Sequence, residues 1–333
     1  TALVRLARDY GYVNLETPIL EEKKLFTLKG IHVVPEQQLQ MFEDRPGHTV
    51  ILRPENTLPL ARAYREHGLQ NSPQPVKLWH CGPQFRNEEP TWGTYRQFTQ
   101  AGYEVFGDPQ PIVDAQLIAA VYFVFQELGI GVQLRLNSIG HDVCRTAYTT
   151  KLTDYYRTRR SELCDTCKAN LGRRTLDLLT CPVPECQELF NQAPQIVDHL
   201  CEPDRDHFVK VLEHLDEVDV SYQLEPRLIR DNGIASRTIV EFCSTVAERQ
   251  SVSLARGGRH DKLVEAVGGP ETACFGITIG CERMVLALKE SGQPLTNIQA
   301  PDVFLAHLGD AARRKALQLF LHLRAEGIHV AES

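Results

Sequence analysis

The chain has 333 residues, of which 42% are hydrophobic and 24% are charged, and a formal net charge of −7. These values are ordinary for a globular protein with a sizeable core, and the length suggests roughly two domains. The acidic balance argues against a protein that coats nucleic acid without specificity, which needs an excess of Lys and Arg, although a local basic patch is compatible with it.

Membrane insertion and secretion also find no support in the sequence. The longest apolar run, 117–125, has nine residues, whereas a helix needs roughly 20 residues to span a bilayer. No charged and then apolar leader opens the chain, and the ten cysteines are scattered rather than gathered in a small disulfide framework. We therefore predict a protein of the reducing cytoplasm. Helical periodicity from the first residue without an N-cap, and an end just after a strand pattern begins, predict that both ends are cut.

The first part of the chain alternates short strands with helices. Periodicity predicts a helix at 2–9 and strands at 12–16, 50–52, 76–80 and 104–106. The run Cys81-Gly82-Pro83 predicts a turn. A polar loop at 87–94 lies between two of these strands, which is typical of an antiparallel hairpin with a long functional tip.

The later elements indicate an α+β protein with an insertion. A helix at 114–128 ends at Gly129, and a charged, mostly helical block with four cysteines in its middle follows after the next strand. Further predicted elements are strands at 132–136, 228–230, 238–242, 251–254 and 275–279, and a helix at 282–289. From residue 303 onward, a strand, a helix and a strand predict the start of a parallel, right-handed α/β unit. The predicted domains are a core in two parts, 1–141 and 217–298, a helical insertion, 142–216, and a truncated α/β domain, 299–333.

Three motifs in order resemble the signatures of class II aminoacyl-tRNA synthetases. Phe85-Arg86-Asn87-Glu88 with its following loop resembles motif 2, Thr17-Pro18 resembles motif 1, and Gly280-Cys281-Glu282-Arg283 resembles motif 3. The histidyl branch is indicated by Leu52-Arg53-Pro54-Glu55, which is similar to L-R-P-E-G-T with Asn56 in place of Gly, and by Arg256-Gly257-Gly258-Arg259-His260-Asp261, which is similar to G-G-R-Y-D. Residues 137–140 and the segment from Cys164 to Cys186 also resemble that branch.

The resemblance implies a class II catalytic core, an antiparallel sheet flanked by helices, with a helical insertion and the start of an anticodon-binding-like domain. The implied activity is that of a histidine-tRNA ligase, which uses ATP with Mg to activate histidine as the adenylate and transfers it to tRNA. The motif 1 resemblance implies a homodimer formed around Thr17-Pro18, since an isologous two-fold contact is the commonest solution.

Activation builds negative charge at a pentavalent phosphorus, which preplaced cations must meet. By resemblance, Arg86 and Arg230 contact the α-phosphate and the amino-acid carboxylate, and Arg283 stacks on adenine and reaches the γ-phosphate. Phe98 covers the other adenine face and Glu88 contacts its amino group. The implied amino-acid site is lined by Glu55, Asn56, Thr57, Gln100, Glu104, Arg230, Ile234, Ala235 and His260. Glu104 contacts an imidazole N–H. The simpler alternatives are structural ion pairs for Arg53, Arg256 and Arg259, and a core position for Phe98.

The sequence departs from the family at the side-chain pocket. The signature R-G-L-D-Y-Y-T-R-T appears with Ile234 and Ala235 for its two tyrosines, and the Tyr of G-G-R-Y-D is His260. The loop R-P-Q-x-G-R has lost its Gln and both Arg in 89–94. These changes predict a larger, more apolar cavity beside Glu104 and weak histidine affinity. The alternative is that His260 or Tyr103 restores the site.

Three interpretations follow from the retained and lost residues. The chain is a working histidine-tRNA ligase with a reshaped pocket, or a paralogue that activates another amino acid or charges no tRNA, or a histidine-sensing regulatory subunit of ATP phosphoribosyltransferase without catalysis. The three arginines and the cysteine-bearing insertion favour an enzyme. The lost tyrosines favour the other two.

Two features of the insertion, its cysteine pairs and its basic run, each allow two interpretations. The pairs Cys164/Cys167 and Cys181/Cys186 are similar to a zinc knuckle, but the second spacing is loose and the family carries similar cysteines without an obligatory metal, so we predict no metal and buried thiols. The run Arg157-Thr158-Arg159-Arg160 with Arg173-Arg174 is ordinarily a solvated helix face, and the sharper hypothesis is a contact to the tRNA acceptor stem.

Overall fold

The computed structural model describes residues 2–28, 30–31, 33–230, 232–246, 249, 252–292 and 300–332. Two compact units are present, Thr1–Ser291 and Gly292–Ser333. None of the helices among these described residues has the length and apolar character needed to cross a membrane.

Helices and strands alternate along the chain. The helices are α1 (Ala2–Asp9), α2 (Lys23–Phe26), α3 (Thr57–Glu66), α4 (Pro111–Glu127), α5 (Asp142–Thr158), α6 (Asp165–Asn170), α7 (Pro184–Asn191), α8 (Glu202–Glu217), α9 (Leu263–Ala266), α10 (Cys281–Glu290) and α11 (Asp310–Ala325). The strands are β1 (Val13–Asn14), β2 (Leu20–Glu22), β3 (Gln40–Glu43), β4 (Thr49–Leu52), β5 (Val76–Phe85), β6 (Gln97–Phe106), β7 (Val132–Ser138), β8 (Gln223–Leu224), β9 (Ser236–Ser244), β10 (Ser253–Arg259), β11 (Cys274–Gly280), β12 (Val303–Leu305) and β13 (Val330–Glu332).

Eight strands form the central sheet of the first unit in the order β1-β5-β6-β11-β10-β9-β7-β8. The six inner strands run antiparallel to their neighbours, and only the outermost pairs, β1 with β5 and β7 with β8, are parallel. A smaller antiparallel sheet has the order β2-β4-β3. The predicted α+β class with an antiparallel sheet flanked by helices is confirmed.

The main core lies between one face of this sheet and the helices α1, α4 and α8. Pro111 occupies the first turn of α4, where its missing N–H costs nothing, and Gly129 ends the helix with a φ of 67°. Most of α4 is buried, down to Phe125 at 0% exposure, because the helix lies between the sheet and α8. Each large side chain buried in this way contributes about 1.5–3 kcal/mol.

The two faces of the central sheet carry different kinds of side chain, because the side chains alternate along each strand. On β6, Ala101, Tyr103 and Val105 point into the main core, and on β11 Phe275, Ile277 and Ile279 do the same. The intervening side chains point to the opposite face because successive residues of a strand alternate. Gln100 and Glu104 are among them, so the sheet presents a polar face away from α4.

Two sequence-based predictions of secondary structure are wrong. Cys81-Gly82-Pro83 is not a turn but part of β5, which continues to Phe85. Proline is tolerated there because β1 pairs with β5 only at Leu78 and Trp79, which leaves the rest of that side an edge. Residues 228–230 form no strand, since Leu228 and Ile229 pack against the insertion instead. The strand expected at 251–254 begins at Ser253, and residue 251 lies outside the described residues.

The block between β7 and β8 is helical, as predicted, and has its own small core. Helices α5, α6 and α7 and two short 3-10 segments supply this core, which includes Tyr148, Tyr156 and Leu178, whereas α8 packs into the main core. The insertion core continues onto the sheet through Ile139 and Ile239. The second unit has β12 and β13 paired in parallel with α11 between them in sequence, which confirms the predicted strand-helix-strand unit, and Gly327 ends α11 with a φ of 79°.

Candidate active site

A cavity of about 530 Å³ lies on the polar face of the central sheet. Its walls come from β6, β10 and β11, the tip of the β5-β6 hairpin, the start of α3 and the segment before β9. Of the residues predicted to form the site, ten line this cavity: Glu55, Thr57, Arg86, Glu88, Phe98, Gln100, Arg230, Ile234, His260 and Arg283. The fold thus collects in one place residues that are more than 200 positions apart in the sequence.

Arg86 lies just after β5, where the hairpin tip begins. Its Nε donates to the carbonyl oxygen of Pro54 at 2.9 Å, and its guanidinium lies 5.2 Å from the centre of the Phe98 ring. Desolvation lowers the pKa of Arg86, against the opposing effect of Glu88 and Glu55. The side chain remains charged at any ordinary pH, and its two terminal nitrogens are left to meet an anion.

Arg283 is fixed by the hairpin tip. Its Nε donates to the carbonyl of Gly93 at 2.9 Å, and its terminal nitrogens donate to the Ser253 carbonyl at 2.9 Å and to Thr94 Oγ1 at 3.1 Å. These contacts join the start of α10 to the loop that follows β5. The loop that has lost its own arginines is therefore held by Arg283.

Arg230 and Arg256 complete what we call the arginine group, Arg86, Arg230, Arg256 and Arg283. Burial and the neighbouring Arg256 lower the pKa of Arg230 to about 10. The Arg230 guanidinium makes no hydrogen bond or ion pair to any residue that the structure describes. Arg256 lies 3.5 Å from Glu241 Oε1 and lines the cavity, so it is both an ion-pair partner and a wall residue.

Glu55 caps the helix that follows it. Its two carboxylate oxygens accept the backbone N–H groups of Thr57 at 2.7 Å and Leu58 at 3.0 Å, which satisfies two of the amides that a helix leaves unpaired at its N-terminus. Burial raises the pKa of the Glu55 carboxyl, although these two amides counteract it. The side chain still reaches the cavity wall.

Glu104 lies on β6 with 1% exposure, behind the cavity wall. Thr57 Oγ1 donates to its Oε1 at 3.2 Å, His260 Nε2 lies 3.3 Å from its Oε2, and Cys274 Sγ donates to the same Oε2 at 3.6 Å. His260 in turn faces the cavity. The buried carboxyl group thus has three polar neighbours, as a buried polar group requires.

Gly276 makes room for this carboxylate. It is paired with Glu104 across β11 and β6, and a Cβ at position 276 would meet Glu104 Oε2 at 1.8 Å. A side chain of any size there would displace the carboxylate, so the glycine is required by close approach rather than by backbone conformation.

Gln100 points into the same region with an unmet acceptor. Its Oε1 is buried and accepts no hydrogen bond from the described residues, a state that costs free energy unless a ligand supplies a donor. We call Glu55, Gln100 and Glu104 with His260 the acceptor group. The cavity therefore combines guanidinium donors with carboxylate and amide acceptors.

Asn56 and Arg53 belong to a buried structural network rather than to the cavity wall. Arg53 NH1 donates to the Thr17 carbonyl at 2.7 Å, its Nε donates to the Pro83 carbonyl at 3.1 Å, and Thr17 Oγ1 donates to Asn56 Oδ1. Asn56 has 0% exposure. This network ties the Thr17-Pro18 segment to the motif 2 strand.

Arg259 is a structural ion-pair residue. It has 0% exposure, lies 2.8 Å from Asp114 Oδ1 and donates through Nε to Asp114 Oδ2 at 3.1 Å. His207 and Thr238 contact the same aspartate at 2.9 Å and 2.8 Å. Asp114 thereby joins α4 to α8, β9 and β10, as the simpler interpretation of Arg259 expected.

Comparison with known proteins decides the family. A family profile described as Histidyl-tRNA synthetase matches residues 1–284. The chain is 40% identical over 328 residues to a protein of Pelotomaculum thermopropionicum named histidine–tRNA ligase, covering 97% of this chain and 77% of that protein. The chain belongs to the histidyl-tRNA synthetase family.

Other members of the histidyl-tRNA synthetase family agree with this. A protein of Dehalococcoides mccartyi named histidine–tRNA ligase is 38% identical over 333 residues, which cover 99% of this chain and 79% of that protein. The crystal structure of the apo S. aureus histidyl-tRNA synthetase matches with a TM-score of 0.79 and 31% identity, over 99% of this chain and 79% of that one. A Bacillus halodurans structure described as an ATP phosphoribosyltransferase regulatory subunit/histidyl-tRNA synthetase, at 20% identity and a TM-score of 0.71, shares the fold.

Within this family, the structure changes the expected side-chain pocket. Ile234 lines the cavity, but Ala235 is buried among the side chains of the insertion core, because consecutive residues entering β9 point to opposite sides. Tyr103 faces the main core and donates its hydroxyl to the Leu3 carbonyl at 2.8 Å, so it does not replace the lost tyrosines. Glu104 does not face apolar walls as predicted, since Thr57, His260 and Cys274 surround it.

Some residues of this synthetase site are not apparent from motifs. Cys274 touches Glu104 although no motif contains it. Arg256 forms the ion pair with Glu241 that the sequence allowed as an alternative, and it also lines the cavity. Strand alternation gave no signal for Arg256, because a β-bulge interrupts the register between Ser253 and Ala255. Cys274 and Gly276 become informative only through their pairing opposite β6.

Proposed function

We propose that this chain catalyses the histidine-tRNA ligase reaction at the cavity described above. The observation that carries the proposal is that the arginine group lines one cavity together with Glu55, Gln100 and His260 of the acceptor group, with Glu104 in contact with His260 behind the wall. This arrangement matches a substrate pair of opposite polarity: a phosphate chain with a carboxylate, and an ammonium with an imidazole. Relatives that are 37–40% identical over nearly the whole chain carry the same name.

In the proposed activation step, the histidine carboxylate attacks the α-phosphorus of ATP and pyrophosphate leaves. Arg86 and Arg230 would contact the α-phosphate and the carboxylate, because Arg86 uses only its Nε in a hydrogen bond to a described residue and burial beside Arg256 leaves Arg230 poorly solvated. Preplaced guanidinium groups stabilise the charge that develops at a pentavalent phosphorus without reorganising. Phe98 and Arg283 would enclose the adenine ring, and Glu88 would accept from its amino group.

In the same proposal, the acceptor group binds the rest of the amino acid. Gln100 Oε1 and Glu55 would accept from the ammonium, and Thr57 lies beside them. Glu104, together with His260, would accept a hydrogen bond from the imidazole N–H. An ionised carboxylate offers about four lone-pair sites, so Glu104 retains acceptor capacity after its contacts with Thr57 and His260. His260 thus takes the place that tyrosine has in the family.

Magnesium fits this arrangement as a companion of ATP. One oxygen of Glu282 accepts the backbone N–H of Thr99 at 2.7 Å, which leaves the other for a ligand at the cavity wall. Mg²⁺ in such sites is held by one or two carboxylates together with substrate phosphates. Bound there, it would neutralise phosphate charge.

We propose that tRNA contacts the insertion. A groove of about 1050 Å³ runs between residues 35–37 and the insertion, and Arg145, Arg157, Arg173 and Arg174 line it. Asp154 and Asp177 form ion pairs with Arg157 and Arg174. Part of the positive charge of the groove is therefore balanced within the protein when no nucleic acid is bound. Contacts of this kind position a phosphate backbone without reading its sequence.

We also propose that the protein acts as a cytoplasmic homodimer. Apolar side chains are exposed around the motif 1 segment, with Ile19 at 42%, Leu20 at 57% and Phe42 at 49% exposure, and such clusters mark association surfaces. All ten cysteines are free thiols, which suits a reducing compartment. The domain boundaries proposed from the sequence, 1–141, 142–216, 217–298 and 299–333, remain part of this proposal, with the last as an anticodon-binding-like domain.

The test is amino-acid-dependent exchange of pyrophosphate into ATP, measured with each of the twenty amino acids, followed by aminoacylation of tRNA. Exchange that depends on histidine, with transfer to histidine tRNA, is expected. Exchange with a different amino acid, or binding of histidine without any exchange, would instead identify an altered paralogue or a histidine-sensing regulatory protein.

A further inference from the structure

Four cysteine sulfurs come together in the insertion. Cys164 precedes α6, Cys167 lies within it, Cys181 follows a 3-10 segment, and Cys186 lies in α7. Their four Sγ atoms all lie within 4.8 Å of one another. Three separate backbone segments therefore converge on one point, which four unrelated thiols in a protein core have no reason to do.

The spacing of these sulfurs suits one tetrahedral metal ion. With Zn–S bonds of about 2.3 Å, the edge of a tetrahedral site is about 3.8 Å long. Cys164 Sγ and Cys181 Sγ are 3.8 Å apart. Two of the four residues are buried and two are half-buried, and four cysteine ligands would leave no coordination position for water, as in structural sites.

Backbone amides already point at the sulfurs. The N–H of Cys167 donates to Cys164 Sγ at 3.5 Å, and the N–H of Cys164 donates to Cys186 Sγ at 3.3 Å. Such donors stabilise the thiolate form that a metal requires.

We propose that Cys164, Cys167, Cys181 and Cys186 bind one zinc ion as a closed structural site within the insertion. The loose spacing between Cys181 and Cys186, which spoke against a metal in the sequence, is accommodated by the fold because α7 begins at Pro184 and turns Cys186 back toward α6. Thiol protons are released as the ion binds, and no redox change is involved.

A second cluster in the insertion does not compete for the metal. His141, Cys144, Cys201 and Asp204 are also close together, but Arg237 Nε donates to one oxygen of Asp204 at 2.9 Å and the His141 amide donates to the other at 2.8 Å. This aspartate is already neutralised by a guanidinium. A cysteine variant in this second cluster therefore serves as the control for loss of metal from the first.

The proposed ion would hold together a part of the molecule with little regular structure. Between α5 and α8 the helices α6 and α7 have six and eight residues, too short to be stable without tertiary support. The segment that joins α6 to Cys181 carries Arg173 and Arg174, which line the groove described above. Zinc would thus fix the position of these two arginines.

The experiment is elemental analysis of the full chain, purified without chelators from cells grown with added zinc. We expect one zinc per chain, retained by Cys201→Ser and lost from Cys164→Ser and from Cys181→Ser, with a lower melting temperature in both. Because a variant may misfold, the unaltered protein is also reconstituted with Co²⁺, for which thiolate charge-transfer bands and the strong visible bands of a tetrahedral site are expected.

Three results would overturn the assignment. They are an absence of stoichiometric zinc together with no tetrahedral Co²⁺ spectrum, zinc that stays in both serine variants at these positions, or zinc that is lost from Cys201→Ser instead. Stoichiometric iron in place of zinc would also contradict it. None of these readouts depends on aminoacylation, so the outcome is separate from that of the proposed function.

Discussion

Glu104 and Arg230 belong to the same candidate site but differ in how many protein groups contact them. Both oxygens of Glu104 are in contact with protein groups, Thr57 on one and His260 with Cys274 on the other, whereas Arg230 makes no hydrogen bond or ion pair within the described part of the chain. Arg86 is intermediate, with one hydrogen bond to Pro54. Glu104 is therefore held by its neighbours, whereas Arg86 and Arg230 keep most of their donors unused among the residues that the structure describes.

This difference separates the two kinds of recognition. An anion that meets Arg86 and Arg230 gains charge-assisted hydrogen bonds and displaces no protein contact. An imidazole that meets Glu104 must share an acceptor that protein donors already use, so its binding gains less and depends more on geometry. We therefore expect mutations in the arginine group to affect the chemical step most and mutations around Glu104 to affect histidine affinity.

The largest expected effect tests the arginine group. Arg86→Ala should lower histidine-dependent pyrophosphate exchange by about 10² or more, because it removes a cation from the developing charge. Arg86→Lys keeps the charge but loses the bidentate fork, so an intermediate loss is expected. Steady-state exchange kinetics measure both, with the melting temperature as the check on folding. An Arg86→Ala enzyme with unchanged kcat would contradict the assigned role.

A second change tests whether Glu104 needs its present position. Gly276→Ala places a Cβ at 1.8 Å from Glu104 Oε2, and overpacking of this kind costs about 1–3 kcal/mol, so KM for histidine should rise by about tenfold or more. Gly280→Ala is the matched control, since its nearest neighbour would be Arg283 Cδ at 3.6 Å. Equal kinetics in the two variants would show that the carboxylate does not contact histidine.

A smaller effect is expected from the partner of Glu104. His260→Phe removes a hydrogen bond worth about 1 kcal/mol and should raise KM for histidine about fivefold with little change in kcat. His260→Tyr restores a polar group and the family residue, so its KM should stay near that of the unaltered enzyme. Calorimetric titration with histidine reports the same affinities directly. If Phe and Tyr behave alike, the group at 260 acts only through its bulk.

The smallest effect lies outside the cavity. Arg173→Ala in the groove should raise KM for tRNA about two- to threefold, since exposed ion contacts are weak, and should reduce the salt dependence of tRNA binding. Lys210→Ala removes the same charge from an exposed position on α8 and should change neither. A loss in pyrophosphate exchange with Arg173→Ala would show that the effect is not confined to tRNA.

Sequence reasoning recovered the elements whose periodicity is strong and the motifs whose order is preserved. The β5-β6 hairpin, the long helix α4 and the arginine and glutamate residues of motifs 2 and 3 were all predicted from the sequence. It could not assign Ala235 and Ile234 to different sides, because that depends on how the chain enters β9. It weighed a zinc knuckle from the four cysteines and predicted no metal, because the distances between sulfurs on segments separated by loops are known only once the insertion is packed.

The pairing of β6 with β11 has a consequence for synthesis of the chain. Glu104 leaves the ribosome long before Gly276 and His260, its eventual neighbours, and the helical insertion is made in between. At about 5–20 residues per second, a nascent chain spends roughly ten seconds or more with this half of the cavity unclosed. The insertion has its own small core and a cluster of four converging cysteines, so we expect it to fold during that interval and to act as a scaffold on which the second half of the sheet is completed.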